Sequence, residues 1–254
     1  MKKYLKWLFS FTALLSIGIM PQSCSNDDGY DPSLLLPNAI VTLKPADGTP
    51  SFYIQLDDKT TLEPTNILAS PFGEKEGRAL INYTETGEDS EKYDRKVYVN
   101  WIDPVLTKSL VQDLGDENDS KYGSDPVEIA DSWVNIAEDG YLTLQFITFF
   151  GNSGIAHEVN LLNAGTEENR YIVEFRHNAH GDYSSSLASG IAAFRLDGLE
   201  DGLGLPDTNG KTVKLTLKYK SFDGEKTMEF DYCTRKATES GNIDTESEYR
   251  IKLR

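Results

Sequence analysis

The chain has 254 residues, 39% hydrophobic and 26% charged, with a formal net charge of −16 at pH 7. Such a composition suits one large or two small globular domains. The acidity repels nucleic-acid phosphate, which excludes nucleic acid as a partner, and the two cysteines, Cys24 and Cys233, cannot supply a disulfide framework.

The first element is a leader. Lys2, Lys3 and Lys6 precede a nearly unbroken apolar stretch over 7–20, and Pro21-Gln22-Ser23 then leads into Cys24. This order predicts a lipoprotein signal peptide over 1–23, with Cys24 as the lipid-attachment residue. The apolar stretch, about 14 residues, is shorter than the roughly 20 that cross a bilayer, so a retained anchor helix is the weaker alternative. Pro21 stands where such leaders usually carry leucine. Losing Lys2, Lys3 and Lys6 with the leader would move the net charge from −16 to −19. The expected location is the outer membrane of a Gram-negative envelope, held by the lipid anchor. Asn26-Asp27-Asp28 resembles the export tag of surface-exposed lipoproteins, and a solvated linker explains the same residues.

Residues 24–37 read as a lipidated tether. From there the hydrophobic period is two, the period of a strand with one buried face. The runs 40–43, 52–56, 79–83 and 96–101 predict strands, with a longer excursion over 64–77. Four or five short strands over 38–111 fit a small closed barrel of the OB type. Residues 105–114 have room for one or two helical turns.

Residues 112–125, QDLGDENDSKYGSD, are acidic and poor in apolar side chains, and predict a linker between domains. A calcium loop over Asp113, Asp116, Glu117 and Asp119 is the sharper alternative, but their spacing does not follow the EF-hand pattern and no glycine sits at the required turn. Residues 126–254 predict an antiparallel β-sandwich. Its strands are expected over 133–137, 141–146, 156–162, 171–175, 191–196, 212–221, 226–233 and 249–253. Asp139-Gly140 and Asp223-Gly224 mark hairpins, because the favoured two-residue turns need positive φ. The fold class expected is therefore all-β, a barrel followed by a sandwich. Cys233, in an alternating run, is expected to be a buried, inert thiol.

Chemistry is sparse. There is no nucleophile elbow, no phosphate-cradling glycine loop and no Cys-x-x-Cys. The densest polar cluster is Arg176-His177-Asn178-Ala179-His180-Gly181-Asp182. Arg176, His177, Asn178, His180 and Asp182 are the candidate ligand-contact residues. His177, His180 and Asp182, joined by His157 from a neighbouring strand, offer donor types that suit zinc. A structural role at a strand end accounts for the same residues. No catalytic residue, metal or cofactor is expected. Tyr98, Trp101, Tyr141, Phe146, Phe149 and Phe150 could form a stacking platform, or pack in the core.

The leader, with KVYVNWIDPVLTK (96–108), DPVEIADSWVNIAEDGYLTLQF (125–146) and VEFRHNAHGD (173–182), resembles the NigD-like lipoproteins. The resemblance covers nearly all of the chain after the leader. It implies an N-terminal OB-type barrel and a C-terminal β-sandwich, and carries over no catalytic residues. The family is named after a member encoded with a bacteriocin, for which an immunity role was proposed. The function expected is a non-enzymatic envelope lipoprotein binding a protein, peptide or glycan. The alternatives are a metal-dependent hydrolase centred on His177 and His180, and a purely structural envelope component.

Overall fold

The computed structural model describes residues 31–46, 51–57, 59–151, 154–198 and 202–234. The leader, Cys24 and the strand expected over 249–253 lie outside the described residues. The described chain from Ser33 onward belongs to one compact unit.

Five strands close the barrel: β1 (Ala39–Pro45), β2 (Phe52–Gln55), β3 (Thr61–Pro64), β4 (Gly77–Glu85) and β5 (Arg95–Pro104). They close in the order β1-β2-β3-β5-β4, and β3 runs parallel to β5. Val41, Leu43, Ile54, Leu62, Ile81 and Val97 fill the interior, where alternation along each strand places them. β1 and β4 depart from alternation, because both of their faces are buried. Their outer residues, Ile40 and Leu80, join Val105, Val134, Ile136 and Ala193 in a second core that fuses barrel to sandwich.

Ten strands form the sandwich: β6 (Leu106–Ser109), β7 (Val111–Gln112), β8 (Glu128–Ile129), β9 (Ile136–Glu138), β10 (Tyr141–Phe149), β11 (Glu158–Asn163), β12 (Ile172–Asn178), β13 (Leu187–Arg195), β14 (Val213–Ser221) and β15 (Gly224–Tyr232). One sheet runs β6-β13-β10-β8, with β9 also on β10, and the other runs β15-β14-β12-β11-β7. Pairing is antiparallel except for β6 with β13, β7 with β11 and β12 with β14, so the sandwich is mixed. Leu142, Leu144, Phe146, Leu161, Phe175, Phe194, Leu215 and Leu217 interdigitate between the sheets.

The helical turns expected over 105–114 are instead β6 and β7. Each adds to the edge of a different sheet, and buried Leu110 sits between them in the sandwich core. Tertiary pairing overrides a local pattern too short to choose between helix and strand. The passage from barrel to sandwich takes a single residue, Val105, buried in the shared core. The acidic segment 112–125, read as the linker, lies inside the sandwich. It holds a 3-10 turn (Gly115–Glu117) and a short helix, α1 (Asn118–Tyr122). Asn118 receives the Leu114 N–H at 2.9 Å and donates to Asp113 at 2.7 Å, and the Tyr122 hydroxyl donates to the Gln112 carbonyl at 3.1 Å. The backbone hydrogen bond from Gly115 holds the Asp113 carboxyl below its ordinary pKa, so this acid is a turn cap.

Asp139 and Gly140 both take positive φ and turn β9 into β10, as the Asp-Gly signal predicts. At the second hairpin the turn residues are Phe222 and Asp223, since Ser221 pairs with Gly224. Cys233 is buried, its sulfur 3.5 Å from the Thr208 hydroxyl.

Gly123 ends α1 with φ +80, and a Cβ there would lie 2.5 Å from the Asn178 Cβ and 2.6 Å from the His177 carbonyl. Gly123→Ala therefore combines left-handed strain with overpacking against β12, an expected loss of roughly 2–4 kcal/mol. Urea denaturation measures it, and an unchanged midpoint would contradict the close approach.

Candidate functional site

The candidate residues gather at one end of the sandwich, where β12 turns toward β13. His180 and Gly181 both have positive φ there, at 51° and 80°, and reverse the chain within one turn. The Asn178 carboxamide oxygen accepts the His180 N–H at 2.8 Å, and the Asp182 N–H donates to the Ala179 carbonyl at 3.0 Å. The Asp125 carboxylate stitches the loop from outside, accepting the Ala179 N–H at 2.7 Å and the Tyr183 hydroxyl at 3.0 Å.

Alternation along β12 and then the reversal divide the five candidates. His177 and Asp182 turn inward and are fully buried, and His157 joins them. The three form a line: Asp182 Oδ2 lies 3.2 Å from His157 Nε2, and His157 Nδ1 lies 2.9 Å from His177 Nε2. The carboxylate assigns the tautomers. His157 donates from Nε2 to Asp182, so its Nδ1 must accept from the His177 Nε2–H. The same carboxylate oxygen accepts the Gly151 N–H at 3.2 Å, tying in the 150–157 loop. His177 Nδ1 is left as a buried acceptor without a partner among the described residues. Burial first, and neighbouring His157 next, hold the His177 imidazole down at about 4, so it is neutral at pH 7. Phe146 packs against the His177 ring and Phe150 against the His157 ring.

Arg176, Asn178 and His180 stay nearer the surface. Arg176 pairs with Asp119 of α1 and, at 2.8 Å, with Glu174. His180 lies 3.5 Å from Glu158 and does not join the other two histidines. The ring nitrogens of His157 and His177 meet each other instead of converging on a shared point. Among the described residues no three His, Cys, Asp or Glu side chains are grouped to hold a metal. The cluster's chemistry is that of a buried polar brace linking β11, β12 and the loops at 150–157 and 179–186.

Among exposed serines and charged residues, this end also presents four large side chains with apolar surface. Phe149 (38% exposed) and Phe222 (36%) pack at a tilt with ring centroids 4.9 Å apart. Leu187 (53%) pairs with Phe149 across β10 and β13, and Tyr183 (62%) stands on the braced loop. Of these, the sequence reading singled out Phe149 alone. Phe222 could have been found, since a hairpin tip exposes its turn residues, whereas Leu187 and Tyr183 carry no such signal. Of the other platform candidates, Tyr141 and Phe146 are core residues, and Tyr98 is exposed on the barrel.

A second concavity, about 430 Å³, opens where barrel meets sandwich, lined by Phe72, Lys75, Glu76, Lys108, Tyr141 and Arg195 among others. Glu76 in its wall accepts the Tyr141 hydroxyl at 2.7 Å and lies 3.6 Å from Arg195. Lys108 bonds the Val159 carbonyl and Asn160, each at 2.8 Å.

Fold and site together define a two-domain β protein, an OB-type barrel fused to a sandwich whose one end carries a braced apolar surface. Residues 40–105 match the NigD-like N-terminal OB domain, and 109–232 match the NigD-like C-terminal beta sandwich domain. The chain belongs to the NigD-like family.

A solved structure described as toxin-related, from Parabacteroides distasonis, is 34% identical over 77% of this chain and 92% of that one, with a TM-score of 0.63. A protein of unknown function from Bacteroides vulgatus shares the fold at 22% identity, 80% and 94% coverage and a TM-score of 0.60. A NigD-like immunity protein from Bacteroides caccae shares it at 20% identity, 75% and 90% coverage and a TM-score of 0.51. Comparison with curated proteins gives no match.

Proposed function

We propose that this chain is a non-enzymatic cell-envelope lipoprotein, held to the outer membrane through Cys24, that binds a peptide or protein partner in an immunity-type role. The observation that carries the reading is the exposed set Phe149, Leu187, Phe222 and Tyr183 on one end of the sandwich. Aromatic anchors of this kind supply contact area at low entropic cost. The polar residues beneath them face inward and hold the loops, which suits recognition better than turnover. The net charge of −16 favours a cationic partner. The basic leader before Cys24 supports the anchor, and among the described residues no helix is long and apolar enough to cross a membrane. The Bacteroides caccae protein of the same fold is described as an immunity protein, and that role is extended here to this chain.

The test is genetic and then structural. Deleting the gene should sensitise cells to an antimicrobial peptide made by neighbouring cells, and the wild-type gene should restore resistance. Phe149→Ser with Phe222→Ser should fail to restore it while leaving the thermal midpoint within a few degrees of wild type, as expected for exposed positions. Unchanged sensitivity on deletion would end the immunity reading.

A further inference from the structure

Leu34, Leu35 and Leu36 are 40%, 61% and 39% exposed, three consecutive large apolar side chains left in water. Folded proteins avoid such runs unless they serve a contact. This run is gripped by the barrel. Pro32–Leu35 form a 3-10 turn, and buried Asn82 of β4 holds the backbone around it. Asn82 Nδ2 donates to the Ser33 carbonyl at 2.9 Å and to the Leu36 carbonyl at 2.6 Å, while its Oδ1 accepts from Asn100 at 2.7 Å. Trp101 Nε1 of β5 donates to the Leu34 carbonyl at 2.6 Å. The Asn38 side chain exchanges hydrogen bonds with the Tyr83 backbone at 2.8 and 3.1 Å. The barrel thus holds the backbone of 33–38 and leaves the leucine side chains outside. Fixing them costs conformational entropy that water does not return, so the grip prepares a contact.

Two observations select a lipid surface as that contact. The first is reach. Cys24 stands ten positions before Leu34. Whatever course the residues between them take, ten residues span at most roughly 36 Å. A lipid on Cys24 therefore confines the leucines to the neighbourhood of the bilayer. The second is composition. Residues 32–43 carry no charge, in a chain whose net charge of −16 is otherwise repelled by anionic membrane surfaces. Aliphatic side chains beside a hydrogen-bonded indole suit the interfacial layer. We propose that Leu34, Leu35 and Leu36 are a lipid-contact patch, seated in the interfacial layer of the membrane that holds Cys24. This rests on the reading of Cys24 as the lipid-attachment residue. The patch is a second hold beside the acyl chains, and it fixes which side of the barrel faces the bilayer.

The experiment uses the full-length gene expressed in a Gram-negative host. The protein is extracted from membranes and reconstituted into vesicles of phosphatidylethanolamine and phosphatidylglycerol. Mass spectrometry of the N-terminal peptide reads the acylation of Cys24. Leu35→Cys carries a nitrobenzoxadiazole label, and Leu68→Cys, 81% exposed on the barrel's 64–77 loop, carries the same label as reference. Cys233 is buried and stays unlabelled. Nitroxide on the upper acyl chain should quench the label at 35 roughly threefold more than the label at 68, and aqueous iodide should quench it roughly threefold less. Adding Leu34→Ser with Leu36→Ser should bring both values to those at 68, with the thermal midpoint within a few degrees of wild type. In acylated protein, equal quenching at 35 and 68 overturns the patch and leaves the anchor standing. Protection from iodide without quenching from the lipid also overturns it, since the chain itself then covers the leucines. Quenching that survives the serine pair assigns the contact to the label and overturns it likewise. A protein found without acyl groups in the aqueous fraction ends the anchor reading and the patch together.

Discussion

Replacing Arg78 with Met is expected to cost about 3–5 kcal/mol of folding free energy, the largest single loss foreseen for this protein. Arg78 lies on the outer face of β4, fully buried in the seam between barrel and sandwich. Its guanidinium pairs with Glu138 at the end of β9 and donates to the Thr42 hydroxyl at 3.0 Å. Tyr141 lies beside it, with the guanidinium carbon 6.0 Å from the ring centroid. Removing the arginine strands a carboxylate in an apolar seam, and that desolvation dominates the loss. Burial raises the pKa of Glu138 even with Arg78 beside it, so desolvation outweighs what the arginine returns. The double change Arg78→Met with Glu138→Leu should therefore regain most of the loss, measured against wild type by urea denaturation at pH 7. A single variant losing under about 1 kcal/mol would mean that the seam does not bury this pair.

Acid is expected to weaken the fold through His177. Its folded pKa is about 4, against an ordinary value of 6.5. Below 6.5 the unfolded chain takes up a proton that the folded chain refuses. Stability is fully present above that pH, falls as pH drops, and stops falling below 4. The shift corresponds to roughly 3 kcal/mol in all. Protonation would also place a cation next to His157 inside the brace, so the 150–157 and 179–186 loops should loosen first. Asp125 opposes the shift and His180 reinforces it, so both belong in any account of the profile. Glu138, with its raised pKa, has the opposite sign, because the folded state takes up its proton more readily than the unfolded one. The decisive comparison is thus between wild type and His177→Leu. The variant should lose some stability at pH 7 but show a fall between pH 7 and 4.5 smaller by roughly 2–3 kcal/mol. Parallel pH profiles would remove His177 from this role.

The barrel strands were legible because their interior rows alternate with a period of two. The Asp139-Gly140 turn was legible because only a few residue types take positive φ cheaply. The seam was not. Ile40 and Leu80 look like the outward members of ordinary strands, and nothing local shows that a second domain covers them. The linker was misplaced for the same reason: the acidic run at 112–125 looks solvated, while the true junction, Val105, is apolar. At the candidate site, the polar density of Arg176 to Asp182 marks the strand end where the structure places the β12 turn. His177 turns inward with the alternation of β12, whereas the inward turn of Asp182 follows the left-handed conformation of His180, a non-glycine residue whose side chain gives no sign of it.

Sequence alone determined the strand period, the hairpin at Asp139-Gly140, the acidic charge and the family, because these depend on side chains near in sequence or on their sum. Tertiary structure decided the seam, the sheets joined by β6 and β7, the line Asp182–His157–His177 and the apolar end formed by Phe149, Leu187, Phe222 and Tyr183. Each of these brings together residues far apart in the chain. Their burial is a property of the assembled fold, which no local pattern encodes.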